Sequence, residues 1–427
     1  MDSVLCRTFM MGLILGLTAC SGIPSAASNP GLVQSKAARI TQEDVPVSDT
    51  TALVQGNSQF AFDVYQSLKD QSGNLFFSPY SITQALAMTY AGANGKTQLQ
   101  MAGVLHFTLP DNHLHATLNA LDVGLAAMGD TQNDQSSFKL SVVNALWGQV
   151  GYPFLPDYLD VLSKYYGSGV HTLDFNKAPE VSRQAINAWV SQQTNQRIQD
   201  LITQGVITLD TRMVLTNAIY FKAAWQKAFE KKQTANGPFF ISNDSTVLVP
   251  MMHQQAVVGY LKDNGVQVVV LPYTNPDFSM VIIMPDTDTF RQFEGSVDAS
   301  KTAALIQVIK PVEVDLTLPK FKFDKSFGLA KSLQGLGMTD AFAPGVADFS
   351  KIDSGKGQLF IQDVLHKAFI SVDEQGTEAA AATGVVVGTT AMPADSVKVV
   401  IDHPFLFLIR DKQSGAILFI GRVVNPK

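Results

Sequence analysis

The stretch that decides the fold runs from Glu374 to Ser396 and reads EQGTEAAAATGVVVGTTAMPADS. It lies between two strand-like runs, Phe369–Val372 and Val397–Ile401, and it contains neither an aromatic nor a basic residue. Its four consecutive alanines favour a helix, but its three glycines and the valines at 385–387 oppose one. A loop of this length inside a compact domain is usually functional or disordered.

Read with a period of two residues, the same stretch has the pattern of a strand. One face carries only small or apolar residues, namely Thr377, Ala379, Ala381, Thr383, Val385 and Val387. Glu378, the only charge between residues 375 and 394, falls on the other face. The stretch has no proline before Pro393, so its backbone N–H groups are available to a ladder. The pattern predicts an exposed loop that is able to become a central strand of a sheet.

Short motifs elsewhere in the chain match one protein family in order. They lie at Asn74–Ile82 (NLFFSPYSI), Thr216–Trp225 (TNAIYFKAAW), Leu318–Phe321, Ala347–Ser350, Val364–Phe369 and Asp402–Phe405. With these motifs and the hinge pattern at Glu374–Thr383, the chain resembles the serpins over residues 51–427. It departs from the family pattern at Gln375, which replaces a glutamate, and at Ala223, which replaces a glycine.

The resemblance implies an α+β serpin fold with about three mainly antiparallel β-sheets, about eight to nine helices and an exposed reactive-centre loop at about 374–396. The residues themselves support the same class, because helical patterns dominate the first part and strand patterns the second. Apolar spacing predicts helices over 53–68 and 179–202, and strands over 266–271, 278–284, 312–318, 405–410 and 416–420.

Serpins are suicide inhibitors of proteases, so the resemblance implies an inhibitor and not an enzyme. The loop is attacked as bait, an acyl-enzyme forms, and the cleaved loop inserts into the large sheet as an added strand. The hinge that must fold into the sheet corresponds to Glu374, Gly376, Thr377, Glu378, Ala379, Ala380, Ala381, Ala382 and Thr383.

Two further regions of the family have counterparts in this chain. Ser78, Asn217 and His366 correspond to the shutter, a polar network under the central strands. Trp225 corresponds to the breach, where insertion starts. Without the resemblance, these residues would be interpreted as ordinary packing residues.

The family's usual spacing from Glu374 places the cleaved bond between Thr390 and Ala391, and a small slip selects Thr389 or Met392. Small uncharged residues suit the apolar pocket of an elastase-like or subtilisin-like protease. A trypsin-like pocket instead requires Arg or Lys. A Met392 bait would favour chymotrypsin-like or elastase-like pockets.

The N-terminus predicts export. Residues 8–19 form an apolar run with Arg7 on its flank, which is typical of a signal peptide. Leu17–Cys20 resembles a bacterial lipobox, so we expect residues 1–19 to be removed and Cys20 to be lipidated. The alternatives are a plain secretory signal cut elsewhere and a buried N-terminal helix.

The residues after the lipobox set the expected organisation of the rest. Residues 20–50 are small and polar and predict a flexible, lipid-anchored tether before one domain at 51–427. Ser21, in place of an aspartate, favours the outer membrane, with the protein facing the periplasm or the cell surface.

Composition excludes several other function classes. The net charge of −6 argues against nucleic acid as a partner. The two cysteines, Cys6 and Cys20, both precede the domain, which therefore has neither a disulfide nor a cysteine nucleophile. His113 and His115 fit exposed side chains better than a metal pair. We expect a monomer without metal or cofactor, whose partners are a serine protease and a membrane.

Three rival hypotheses remain. A non-inhibitory serpin that acts as a carrier, chaperone or protease substrate usually has bulky, charged or proline residues in the hinge, and this hinge has alanine and threonine. An enzyme would be expected to carry a catalytic or nucleotide-binding motif, and none occurs. A purely adhesive lipoprotein would not need a loop that is able to form a central strand.

Overall fold

The computed structural model describes residues 30–129, 139–355, 359–377 and 396–427. Its α-helices are α1 (Val47–Leu68), α2 (Pro79–Tyr90), α3 (Gly95–Leu105), α4 (Asp111–Gly129), α5 (Pro156–Tyr166), α6 (Pro179–Gln193), α7 (Phe290–Ser296), α8 (Ala299–Gln307), α9 (Ala330–Gly335) and α10 (Ser350–Asp353). Its strands are β1 (Gly31–Val33), β2 (Leu75–Phe77), β3 (Lys139–Gln149), β4 (Val170–Leu173), β5 (Met213–Ala224), β6 (Ala235–Ser242), β7 (Ser245–Asp263), β8 (Val266–Pro272), β9 (Phe278–Pro285), β10 (Lys310–Pro319), β11 (Phe321–Gly328), β12 (Val364–Val372), β13 (Gly376–Thr377), β14 (Val397–Val400), β15 (Phe405–Asp411) and β16 (Ile417–Val423). No helix in these ranges is long and apolar enough to cross a membrane.

The strands of the described residues form two sheets. The central sheet has seven strands in the order β1-β4-β3-β5-β13-β12-β11. The second sheet has nine strands, with β14-β10-β7-β8-β9-β15-β16-β2 in a row and β6 beside β7. Parallel neighbours are β3–β4, β5–β12 and β10–β14, and the remaining ladders are antiparallel. The predicted α+β class with mainly antiparallel sheets is confirmed.

The numbers of sheets and helices differ from the expected ones. β7 pairs with β6 and β10 over much of its length and with β8 at its end, so it joins two ladders into one sheet. The described residues therefore form two sheets where three were expected. They contain ten α-helices, one or two more than expected, because very short helices such as the four-residue α10 are included.

Aromatic side chains fill the space between the two sheets. The ring of Phe221 in β5 lies 5.8 Å from that of Phe419 in β16, measured between centroids. Phe321 in β11 lies 5.6 Å from Phe407 in β15. All four side chains are buried. The central sheet thus rests with one face on the second sheet, whose strand β9 is buried along its whole length, as its continuous apolar run predicts.

The helix predicted over 179–202 ends early. α6 begins as expected but stops at Gln193, and Asn195 and Gln196 then have φ angles of 50° and 62°. A right-handed helix does not continue through such angles. Ile198 lies beyond this point and is still buried. Its place in the apolar pattern therefore reflects burial in a turn and not a continuing helix.

Residues 31–46 pack on the domain, so the flexible tether predicted over 20–50 is wrong for this part. β1 forms an antiparallel edge strand on β4 of the central sheet. Residues 47–50 belong to α1, so the folded part begins well before residue 51. A three-residue edge strand in a run of small and polar residues is too short for periodicity to reveal it.

Arg39 fixes this N-terminal segment to α4. Its Nε–H donates to Asn119 Oδ1 at 3.0 Å, and its Nη2–H donates to Asp122 Oδ2 at 2.5 Å. The Asn119 amide donates in turn to the carbonyl oxygen of Ile40 at 2.8 Å. Asn119 is buried and cannot form hydrogen bonds to water, so its hydrogen bonds to this segment satisfy its side-chain amide.

We expect Arg39→Met to lower the free energy of unfolding by about 1–3 kcal/mol, because Asn119 and Asp122 lose their charged donor. Denaturant unfolding measures this loss. Lys36→Met removes an exposed positive charge from the same segment and is the matched control. Equal destabilisation by the two substitutions would contradict the anchoring role of Arg39.

Candidate functional site at the open end of the central sheet

The candidate site lies where β5 and β12 separate. Over Leu215–Ile219 and Val364–Ala368 the two strands are direct parallel neighbours. Towards the end of β5, β13 lies between them and is antiparallel to both. Its pairs are Gly376 with Ala224, Thr377 with Ala223, and Thr377 with Val372. The central sheet is therefore open to an additional strand at one end and closed at the other.

Trp225 and Tyr273 line the open end. The Trp225 indole N–H donates to the carbonyl oxygen of Asp373 at 3.0 Å, and its backbone N–H donates to that of Gln375 at 2.9 Å. The rings of Trp225 and Tyr273 stack with centroids 4.7 Å apart. The Tyr273 hydroxyl lies 2.7 Å from Thr377 Oγ1. The structure thus places Trp225, the predicted breach residue, against the start of the loop, and adds Tyr273 to it.

Glu374 fixes the base of the loop. Its carboxylate accepts hydrogen bonds from Lys320 Nζ at 2.8 Å and from Thr234 Oγ1 at 2.9 Å, and its carbonyl oxygen accepts the Phe229 N–H at 2.8 Å. Burial opposes ionisation of the carboxyl group, but the bonds from Lys320 and Thr234 outweigh it and hold the pKa of Glu374 below its ordinary value. The first predicted hinge residue is therefore a charged anchor.

Gly376 is required by close packing against β5. A Cβ atom at this position would lie 2.1 Å from the carbonyl oxygen of Ala223 and 2.6 Å from Ala224 Cα. No side chain fits at such distances from backbone atoms. The glycine of the predicted hinge thus lets the loop approach the strand beside it.

A second polar network lies under the closed part of the same strands. His366 in β12 is the register partner of Asn217 in β5, and its Nδ1–H donates to Asn217 Oδ1. The Nε2 atom accepts the backbone N–H of Ser78 at 3.2 Å, so both ring nitrogens of a neutral imidazole are paired. The Asn217 amide donates to Ser81 Oγ and to Asn144 Oδ1. Burial lowers the pKa of His366 to about 3.

Ser78, which corresponds to a shutter residue by resemblance, contacts this network through its backbone. Ser78 reaches His366 through its backbone N–H, while its hydroxyl accepts the Ser81 N–H at 3.1 Å and caps α2. Ser81 and Asn144 are members of the network that the sequence did not single out. Ser81 lies inside the motif that contains Ser78, whereas Asn144 reaches the network only through the register of β3 with β5.

Several predicted residues lie outside the described part of the chain. They are Cys20, Glu378, Ala379, Ala380, Ala381, Ala382, Thr383, Thr389, Thr390, Ala391 and Met392. Their roles stay predictions.

His115 is buried, so the expectation of an exposed side chain is wrong for this residue. Its Nδ1 atom lies 2.7 Å from the Tyr166 hydroxyl, and burial lowers its pKa to about 4. His113 instead lies 2.8 Å from the Asp49 carboxylate. Among the residues that the structure describes, no group of three potential metal ligands occurs.

Comparison with known proteins points to one family. The family profile described as Serpin (serine protease inhibitor) matches residues 55–426. An uncharacterized serpin-like protein from Thermococcus kodakarensis is 40% identical over 377 residues, which cover 88% of this chain and 86% of that protein. The leukocyte elastase inhibitor of Xenopus laevis is 37% identical over 378 residues, covering 86% and 98%. The crystal structure of the thermophilic serpin tengpin in its native state has a TM-score of 0.81 and 28% identity, covering 93% and 100%.

We expect the closed part of the central sheet to lose stability in acid through His366. Its pKa is about 3 in the folded chain, against an ordinary value of 6.5, so the unfolded chain binds the proton more readily. The stability that the chain gains by keeping His366 neutral is complete above the pKa of the unfolded chain. It is lost as the pH falls towards the pKa of the folded chain. Between about pH 7 and about pH 5, the expected loss is about 2 kcal/mol.

The measurement is the free energy of unfolding of the native chain and of His366→Gln at these two pH values. Glutamine keeps a hydrogen-bonding side chain that does not titrate, and the other buried histidines contribute equally to both proteins. The native chain should lose about 2 kcal/mol more than the variant. The same acid-induced loss in both proteins would contradict the assignment.

Proposed function

Because this chain belongs to the serpin family, we propose that it inhibits a serine protease by suicide-type covalent trapping. The family and its relatives support protease inhibition in general. The finer proposal is that the loop at about 374–396 is cleaved once and that its N-terminal part then inserts between β5 and β12.

One observation carries this proposal. Only Gly376 and Thr377 of the described hinge lie between β5 and β12, and further along β5 the same two strands pair directly with each other. The start of the loop thus lies in the central sheet at the end where β5 and β12 are separated. Further along the same two strands, their direct ladder leaves no space for another strand. Continuing β13 would require only that this ladder opens, with no change in the strand directions already present.

The chemistry belongs to the protease. Its serine hydroxyl attacks the carbonyl carbon of the bait residue, the peptide bond breaks, the amine of the next residue leaves with a proton, and an ester joins the two proteins. In this chain the inserted strand then draws the esterified residue away from the open end. The trap succeeds when insertion is faster than the attack of water on the ester.

The bait residues favour a protease with a small apolar pocket. Cleavage between Thr390 and Ala391, or with Thr389 or Met392 as the bait residue after a slip of one or two positions, presents no positive charge. We propose an elastase-like or subtilisin-like target. The name of the Xenopus laevis relative, leukocyte elastase inhibitor, supports the elastase-like class.

The proposal extends to the location of the protein. We propose that the chain is exported, is lipidated at Cys20, and acts as a monomer at the outer membrane, facing the periplasm or the cell surface. The edge strand β1 begins at Gly31, which follows Cys20 by 11 positions. Since an extended chain spans at most ~3.6 Å per residue, the sheet edge would lie within about 40 Å of the anchor.

Mixing the full chain with pancreatic elastase, subtilisin and trypsin tests the proposal. A band at the summed mass on a denaturing gel is expected with elastase or subtilisin, together with a released peptide that starts at Ala391. Trypsin should form no such band with the native chain. Cleavage of the loop without a covalent band, with every protease still active, would contradict inhibition and favour a carrier or substrate of serpin fold.

The bait position has a sharper test. Thr390→Arg places a positive charge where a trypsin-like pocket binds it, so the variant should form the covalent band with trypsin. Thr389→Arg is the matched control one position earlier. If only the control traps trypsin, the cleaved bond follows Thr389 and not Thr390.

We expect Thr377→Arg to turn the inhibitor into a substrate. Thr377 is buried and bonded to Tyr273, so an arginine there brings an unpaired charge into the path of the inserting strand. Hydrolysis of the acyl-enzyme is then faster than insertion of the loop. The number of inhibitor molecules that are cleaved for each trapped protease should rise at least about tenfold. Thr377→Ser keeps the hydroxyl and is the control. An unchanged stoichiometry in Thr377→Arg would contradict insertion at this residue.

A further inference from the structure

The reactive loop has a second base, where the chain continues into β14. Among the described residues, β14 is an end strand of the second sheet and pairs with β10 alone, from Val397 to Val400. A four-residue strand with one neighbour has few contacts, so it is among the parts of a sheet that open most readily. The contacts just beyond Val400 therefore decide how firmly this base of the loop is held.

Three contacts fix the corner between β14 and β15 to other strands. The Ile401 N–H donates to the carbonyl oxygen of Thr317 in β10 at 2.9 Å. The Phe240 N–H of β6 donates to the carbonyl oxygen of Asp402 at 2.7 Å. The imidazole of His403 contacts the end of β9. Of these three contacts, only the last involves a side chain that titrates near neutral pH.

The two ring nitrogens of His403 both face hydrogen-bond acceptors. Nδ1 lies 2.8 Å from Asp402 Oδ1, and Nε2 lies 2.8 Å from the carbonyl oxygen of Pro285. A carboxylate and a carbonyl oxygen only accept hydrogen bonds, whereas a neutral imidazole has a single N–H to donate. Both contacts are therefore hydrogen bonds only when the ring carries two protons and is an imidazolium cation.

His366 has the opposite arrangement in the same molecule. One of its ring nitrogens faces a donor, the Ser78 N–H, and the other faces an acceptor, Asn217 Oδ1. That pair of partners suits a neutral ring. The contrast shows that the partners of His403 select the charged ring, and that burial of a histidine does not by itself decide its protonation state.

The surroundings of His403 favour the same charged state. Burial opposes the charge, but the hydrogen bonds to Asp402 and Pro285 outweigh it and raise the pKa of His403 above its ordinary value. The charges of Asp402, on the same corner, and of Asp286, directly after β9, act in the same direction. The ring therefore keeps its second proton to a higher pH than an exposed histidine does.

We propose that His403 is a positioning residue of the reactive loop, whose imidazolium clamps the C-terminal base of the loop to β9. This inference deepens the proposed function and rests on it for its consequence. When the ring loses a proton, one of its nitrogens faces an acceptor without a hydrogen, and the corner loses a contact. The stabilisation is complete below the pKa of the unfolded chain and is lost as the pH rises through the pKa of the folded chain.

Loosening of this corner would change what the loop can do. The loop joins β13 to β14, so both of its ends are held in sheets while it is intact. With β14 detached, the chain after Thr377 could extend β13 without being cleaved, and the bait bond would no longer be presented to a protease. The clamp would thus preserve the inhibitor at neutral and mildly acidic pH and fail in alkali.

Hydrogen–deuterium exchange of the full chain, in steps from about pH 6 to about pH 8.5, tests the clamp without a protease. The exchange rates of the backbone N–H groups of Val397–Ile401 are divided by those of an unfolded peptide at the same pH. The resulting protection of β14 should fall about tenfold across this range, as expected when a hydrogen bond to a charged group is lost. The protection of β15, which has a neighbour on each side, should stay constant.

Three variants connect the effect with the ring. His403→Gln has no titrating side chain here, so the protection of β14 should be the same across the pH range. Asp402→Asn removes a charge that favours the imidazolium, so the fall in protection should occur at a lower pH than in the native chain. His113→Gln is the matched control, because it removes a histidine that lies beside Asp49, and it should keep the native pH profile.

The outcomes separate the clamp from the proposed function. Protection of β14 that is independent of pH in the native chain, or that changes equally in His403→Gln, would overturn the clamp. Thermal unfolding verifies that His403→Gln is folded, and Asp402→Asn supplies the answer if it is not.

Trapping of elastase is measured separately at one pH, after storage of the chain at about pH 6 or about pH 8.5. Less covalent complex is expected after storage at the higher pH, and equal amounts would contradict the effect of the clamp on the loop. A chain that shows the expected exchange but traps no protease after either storage would contradict inhibition and leave the clamp in place.

Discussion

The structure depends on one constraint: the backbone N–H and C=O groups on the β12 side of β5 can form hydrogen bonds to only one neighbouring strand at a time. Over Leu215–Ile219 those partners belong to β12, and at Ala223 and Ala224 they belong to β13. An additional strand can lengthen β13 only if the parallel ladder opens. One parallel ladder is then replaced by two antiparallel ones, which are slightly more stable for each residue and satisfy more backbone groups. If the proposed insertion occurs, the chain would then form more inter-strand bonds than the described arrangement has.

Two polar networks act on opposite ends of this ladder. At the closed end, His366 and Asn217 join β12 to β5 and connect both strands to α2 through Ser78 and Ser81. At the open end, Glu374 fixes the base of the loop through a charged hydrogen bond from Lys320. Because buried polar groups are costly when unpaired, each network resists a partial opening of the strands it joins. In the proposed mechanism, opening of the sheet would therefore require the new partners that an inserted strand brings.

The sequence predicts the hinge and the family because these signals are local. The size alternation from Thr377 onward and the motif spacing need no knowledge of the fold. Asn144 and Tyr273 were not predicted, because they reach the site only through strand register and ring packing over long separations in sequence. The edge strand that begins at Gly31 was not predicted, because three residues are too few for an alternating pattern to show.

The position of Thr377 connects the sequence pattern with the physical demand for small residues. It is the first member of the face that the alternation predicts to point inward, and in the structure it is buried beside Tyr273, on the side of the central sheet that packs against the second sheet. If β13 continues without a bulge, every second residue after Thr377 enters the same packed layer, where Ala368 and Ile370 of β12 are already buried. Such a layer has no room for a long side chain. In the proposed inserted strand, alanine and threonine at these positions would fit the space between the two sheets, and the alternation would direct Glu378 to the opposite face.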